Sequence, residues 1–179
     1  QARMREINAE LSTLQQKFGN NLLAETNAFQ LVLESEEDLA GLPEAVRTAA
    51  AEAAKAAGME GKWVIGLQNP SRIPFLQYSE RRDLREKVYK AYINRGNNGN
   101  ENDNKEIVMQ IIKLRIEKAN LLGFETSADF ILDDTMAKKS ETVNSFLLYI
   151  FKAANEKAKE ELAEMQAIAD REGNGVKVE

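Results

Sequence analysis

Between Lys105 and Leu122 the chain carries Ile107, Val108, Ile111, Ile112, Leu114, Ile116, Leu121 and Leu122, with no glycine or proline to interrupt them. Apolar residues returning every three or four positions over that length describe an α-helix and exclude a strand, whose period is two. The polar stripe of this helix is narrow: Glu106, Gln110, Lys113 and Glu117. So wide an apolar surface predicts a helix in the middle of a bundle.

The same period returns at both ends of the chain. Met4, Ile7, Leu11, Leu14 and Phe18 are spaced 3, 4, 3, 4, with Leu22 continuing the stripe, inside a helix expected over residues 4 to 28. That narrow seam suits packing against another long helix. Ser140 opens a last long helix to about Arg171, with Val143, Phe146, Leu147, Ile150, Ala154, Ala158, Leu162 and Met165 as its buried stripe. Leu42 to Ala57 is dense in alanine, which costs least in a helix, and Gly58 marks its end. Ser79 is placed to cap a helix running to about Asn94, with Leu84, Val88, Ala91 and Tyr92 inward. Gly123 ends the 105–122 helix, and Thr126 with Asp129 can cap a short one through Leu132.

Two short runs break the pattern. Residues 29–33 (Phe-Gln-Leu-Val-Leu) and 62–67 (Lys-Trp-Val-Ile-Gly-Leu) read as β-strands able to pair as a small ribbon against the helices. Ser35 with Asp38 follows the first as a cap, and Pro70 and Pro74 speak against any long uninterrupted helix through 68 to 74. The predicted fold class is therefore mainly α: a helical bundle with a small two-stranded β element, with residues 1–179 forming a single helical fragment.

Composition narrows the chemistry. Hydrophobic residues make up 43% and charged residues 30% of the 179, too apolar for disorder. The net charge is −5 with no basic stripe, so nucleic acid is not an expected partner. No apolar run is long enough to span a membrane. The chain has no cysteine and no histidine. That removes thiol clusters, the His-Glu-x-x-His zinc helix and every triad that needs an imidazole. The absence of cysteine fits a cytoplasmic protein and also a periplasmic one. The start at Gln1 and the polar end from Gly173 to Glu179 are read as boundaries within a longer chain.

The remaining candidates are weak. Asp133-Asp134 follows a helix end, where adjacent acids point apart, and a solvated role is expected over a glycosidase-type pair. Residues 97–104 are rich in Asn and Asp, yet they lack the order of a calcium loop and read as a flexible connector that caps the next helix. Arg81, Arg82 and Arg85 interleave with Glu80, Asp83 and Glu86, so ion pairs on a solvated face are expected rather than an anion site. Trp63 reads as a core anchor. No catalytic or metal-binding residue is nominated, and substrate-contacting residues cannot be named from these patterns.

Several phrases, in order, carry a resemblance. They are residues 37–44 (Glu-Asp-Leu-Ala-Gly-Leu-Pro-Glu) ahead of the alanine helix, residues 61–65 (Gly-Lys-Trp-Val-Ile) leading to 67–71 (Leu-Gln-Asn-Pro-Ser), and residues 84–92 before Asn94-Arg95. Leu114-Arg115, residues 119–124 (Ala-Asn-Leu-Leu-Gly-Phe) and residues 136–140 (Met-Ala-Lys-Lys-Ser) complete the series. Together they resemble the thimet-oligopeptidase-like zinc metallopeptidases, most closely the peptidyl-dipeptidase (dipeptidyl carboxypeptidase) branch. The resemblance implies a much longer parent chain that is mainly helical around a substrate channel. It also implies one zinc ion on a His-Glu-x-x-His helix lying beyond this chain's end, whose glutamate activates the zinc-bound water.

On this reading the parent releases dipeptides from the C-terminus of short peptides, while the present fragment shapes the channel and holds no cofactor. Its partners would be the remainder of its own chain and, for the parent, peptide substrates. The alternatives are a fragment of an endo-acting oligopeptidase of the same family, or a free-standing helical module that binds partner helices. A fragment leaves open apolar surface that its parent covers, so the seam of residues 4 to 22 or the stripe of 143 to 165 should be partly exposed, or buried against another copy in a crystal.

Overall fold

The computed structural model describes residues 1–173 and 175–178. Asn174 and Glu179, within the polar end read as a boundary, lie outside the described residues. Among the described residues the chain forms seven α-helices and one two-stranded antiparallel ribbon, the fold class expected. The order is α1 (Ala2–Ala28), β1 (Leu31–Leu33), α2 (Glu44–Ala56), β2 (Trp63–Ile65), α3 (Asn69–Tyr78), α4 (Arg82–Ile93), α5 (Lys105–Leu121), α6 (Ser127–Leu132) and α7 (Ser140–Arg171). No described helix is long and apolar enough to cross a membrane. The chain divides into two compact units, Gln1–Leu114 and Arg115–Glu179, with the division inside α5.

In the first unit Leu31, Val32 and Leu33 pair with Ile65, Val64 and Trp63. A ribbon this short needs a body to lean on, and α2 supplies it. The small Ala50 and Ala54 face inward and let the helix come close. Leu33, Ile65, Leu67, Phe75 and Val88 form the centre of this core, with Trp63 half-buried at its margin as an anchor. The helix ends where the sequence indicated: Gly58 adopts φ +75°, and the amides of Met59 and Gly58 close on the carbonyls of Ala54 (2.8 Å) and Lys55 (3.0 Å). That pair of bonds satisfies the last free carbonyls of the helix and requires a left-handed residue. Ser35 and Asp38 do form a capping box, here on a short 3-10 turn over Glu36–Leu39.

Two local expectations need correction. The segment around Pro70 and Pro74 is helical after all, as the ten-residue α3. Pro70 lies in the first turn, where its missing N–H would have had no partner, and Pro74 lies one turn on, so little of the hydrogen-bond ladder is lost. Ser79 does not cap α4. The hydroxyl of this buried serine accepts from the Arg81 amide at 3.2 Å, and the helix begins at Arg82 with Arg81 as its cap residue. The inward face of α4 is as expected: Leu84 and Val88 are buried and Ala91 and Tyr92 pack against them.

The seam of α1 is largely covered. Ile7 and Leu11 are buried against Leu114 of α5, with Leu14 and Ile111 alongside. The expectation that α5 lies in the middle of a bundle does not hold. Ile107 and Leu114 are buried, whereas Val108, Met109, Ile112 and Ile116 are exposed. Periodicity measures how apolar a face is, not whether a neighbour covers it.

In the second unit Thr126 caps α6 through its hydroxyl, which accepts from the Asp129 amide at 3.1 Å. The Asp129 carboxylate in turn receives the hydroxyls of Thr126 (2.7 Å) and Ser140 (2.6 Å), tying the start of α7 to α6. Phe124 and Phe130 meet edge to face at 5.5 Å. The expected buried stripe of α7 is open: Phe146 is 62% exposed, and Leu147, Ile150 and Met165 are also exposed. Of the two stripes named in advance, this is the one left uncovered.

Candidate functional site

A cleft of about 510 Å³ lies where α2, the ribbon and the first turn of α3 meet. Ala45, Ala49 and Ala53 make one wall because their small side chains leave the backbone of α2 set back. Phe29, Ile65 and Pro74 close the apolar remainder. Two pairs of its polar groups are already engaged with one another. Gln68 Nε2 donates to Asn27 Oδ1 at 3.1 Å, and the Gly66 amide donates to Ser71 Oγ at 3.0 Å. No acid, base or histidine lines the cleft. It offers apolar contact and shape, and no group that could move a proton.

A buried and heavily hydrogen-bonded carboxylate lies elsewhere in the same unit. Glu25, on the last turns of α1, is 8% exposed. Its Oε2 accepts from the Gly96 amide at 2.6 Å and from Asn98 Nδ2 at 2.9 Å, and its Oε1 accepts from Asn100 Nδ2 at 2.8 Å. Burial pushes this carboxyl up, but the donors of Asn98, Gly96 and Asn100 outweigh it and hold the group below its ordinary value. Asn21 completes the attachment by donating to Asn104 Oδ1 at 2.9 Å. The Asn-rich loop expected to be a flexible connector is thus tied to α1 at several points. Within it the Lys105 ammonium and amide and the Gly99 amide bring Asp103 down to about 2. These oxygens are occupied by N–H donors, which is the arrangement of an anchor and not of a cation loop.

The remaining sequence candidates fall on the surface or in ion pairs. Asp133 and Asp134 are exposed, and the Asp133 carbonyl accepts from Lys138 Nζ at 2.9 Å. Arg81 pairs with Asp38 and, through Nε and Nη2, with both oxygens of Asp83 at 3.0 Å. The bond to Asp38 ties α4 to the capped turn after β1. Arg85 donates to the Ser79 carbonyl, and Lys90 pairs with Glu86 at 2.5 Å. The Arg81–Arg85 cluster is therefore a set of tethers.

Zinc is held by histidine, thiolate and carboxylate ligands. The chain has no histidine or cysteine, and no group of three Asp or Glu able to hold a metal forms among the described residues. These residues do not fit a zinc site.

Sequence reasoning missed Glu25 because nothing local distinguishes it from any acid on an exposed helix face. Its one signal was the density of amide side chains in a distant loop.

Comparison with known proteins places this architecture. The chain is 37% identical over 176 residues to oligopeptidase A of Haemophilus influenzae, covering 96% of this chain and 26% of that protein. It is 35% identical over 174 residues to dipeptidyl carboxypeptidase of Escherichia coli, covering 97% and 26% respectively. Oligopeptidase A of Escherichia coli is similar at 36% over 176 residues, again 96% of this chain and 26% of the relative. The chain thus spans about a quarter of the length of the curated relatives it matches. The profile of peptidase family M3 matches residues 75–179. That match takes in α4 to α7, more than half of the chain, and agrees with the ordered phrases read from the sequence: the chain belongs to peptidase family M3.

Proposed function

We propose that this chain is a non-catalytic part of a zinc-dependent metallopeptidase acting on short peptides, and that its work is to build wall for the substrate channel. One observation carries the reading: a member of a peptidase family that matches a quarter of its relatives' length and contains no histidine with which to hold zinc. The cleft walled by alanines and the open apolar faces of α5 and α7 support it, since both offer shape and surface without reactive groups.

The narrower reading is that the parent is a peptidyl-dipeptidase, releasing dipeptides from the C-terminus of oligopeptides. The similarity to dipeptidyl carboxypeptidase supports it, and the comparable similarity to oligopeptidase A supports the endo-acting alternative. Product analysis with the full-length protein separates them. Stepwise loss of C-terminal dipeptides, blocked by amidation of the C-terminus, is the expected result. Internal cleavage of amidated peptides would establish the endo-acting branch instead. Chelation should abolish either activity and zinc should restore it.

The isolated chain is expected to hydrolyse no peptide with added zinc; chelator-sensitive cleavage by pure material would overturn the non-catalytic assignment. A cytoplasmic location belongs to the same proposal and is checked by fractionating cells that express the full-length protein. A second reading, a free-standing module that binds partner helices, is favoured by the open face of α7 alone. A His-Glu-x-x-His motif in the reading frame beyond Glu179 would remove it.

A further inference from the structure

Arg72 and Arg95 clamp the ring of Tyr92. Their guanidinium carbons stand 3.5 Å and 3.8 Å from the ring centroid. Two groups that close to one centroid cannot share a face, so they occupy opposite faces. Each contact is attractive by itself, because the ring face is electron-rich. The two cations nevertheless repel each other across a single ring. Among the described residues neither arginine has a carboxylate within ion-pairing distance, in contrast to Arg81 with its two aspartates.

The backbone adds to the same sign. Arg72 lies near the start of α3, where the aligned peptide dipoles already present positive charge, and no acidic residue occupies the first turn. Arg72 Nη2 donates to Asn69 Oδ1 at 2.7 Å, while its Nε is buried without a partner. Arg95 donates through Nε to the Tyr92 carbonyl at 2.9 Å and through Nη1 to Thr26 Oγ1 at 2.7 Å. Arg72 Nη1 and Arg95 Nη2 make no hydrogen bond among the described residues. Beside them a groove of about 550 Å³ runs past Tyr92 and Arg95, floored by Leu22, Leu67 and Pro70. Arg95 and Tyr92 line this groove, Arg72 stands on the other face of the Tyr92 ring, and each guanidinium keeps a donor to spare, an arrangement that suits an oxyanion with an apolar body attached.

We propose that the edge of the Tyr92 ring, between Arg72 and Arg95, is a carboxylate-binding site for a peptide lying in this groove. Carboxylate is the matching group: it is planar, has two oxygens with which to reach two donors, and forms charge-assisted bonds with guanidinium. The carboxylate comes either from an Asp or Glu side chain or from a peptide C-terminus. The site does not depend on the peptidase reading, because binding is measured on the chain itself without zinc or turnover.

The test is an NMR titration that follows the Arg72 and Arg95 side-chain N–H signals and the Tyr92 ring signals at constant ionic strength. Three probes are used: N-acetyl-alanyl-alanine with a free C-terminus, the same peptide as its C-terminal amide, and N-acetyl-aspartyl amide. Saturable shifts with at least one carboxylate probe and none with the alanyl amide are expected, and the probe that binds identifies the source. Arg72→Gln should weaken that binding about tenfold, the loss of one charge-assisted hydrogen bond. Equal shifts with the amide, no saturable shift with either carboxylate, or unchanged affinity in a folded Arg72→Gln chain would overturn the proposal. If that variant does not fold, the wild-type titration decides alone.

Discussion

Glu25 shows how one side chain can hold a loop that its own neighbourhood does not predict. A carboxylate removed from water is costly unless its oxygens are hydrogen-bonded, and here three donors arrive from residues 71, 73 and 75 positions away. Glu25→Gln turns one accepting oxygen into a donor that faces other donors. It is expected to cost about 2–3 kcal/mol, read from urea unfolding of wild type and variant. The pH dependence has a definite sign. The folded group titrates below its ordinary value of 4.5, so the unfolded chain takes up the proton first as the pH falls. The stabilisation is complete above that value and is lost as the pH drops through and below it. The melting temperature should therefore fall through the carboxylate range, and less steeply in Glu25→Gln. None of this was legible at the residue scale, where Glu25 reads as a surface acid of a polar helix face. Asp129 with Thr126 was legible, because a capping pair acts over three residues of sequence.

At the scale of elements the correspondence is closer, since helix and strand are fixed by local periods and end signals. α2 stops at Gly58 and α5 stops before Gly123, which has φ +87°, both as the glycines indicated. The strands fall inside the two β-like runs. One departure is α3, because two prolines break a helix only where their position costs ladder bonds, and here they sit in and just after its first turn. What holds α3 is tertiary: Phe75, one residue after Pro74, is fully buried in the core with Leu33, Ile65 and Val88. Phe75→Ala is expected to cost about 3–5 kcal/mol, the range for deleting a large buried ring. A cost below about 1 kcal/mol in chemical denaturation would mean that the ribbon and α2 hold this region without α3.

For the whole molecule the decisive observation is the apolar surface left uncovered. Tyr149 is 82% exposed, and it stands in an unbroken run, Phe146 to Phe151, in which every residue is exposed. Such a patch on a protein in water is covered by another surface when one is available. The isolated chain is expected to self-associate at rising concentration in sedimentation experiments. Phe146→Glu with Tyr149→Lys should return it to a monomer without lowering its stability by more than about 0.5 kcal/mol, as is usual for surface substitutions. A monomer at all concentrations would show that the patch is not adhesive. The sequence by itself determined six of the seven helices, the ribbon and most of the helix ends. These depend on residue type and on spacings of a few positions. The tertiary structure alone decided which apolar faces are covered, which carboxylate anchors the 96–104 loop and where two arginines close on one tyrosine. Those outcomes depend on which distant segments meet in space, and a period along the chain carries no record of its neighbours.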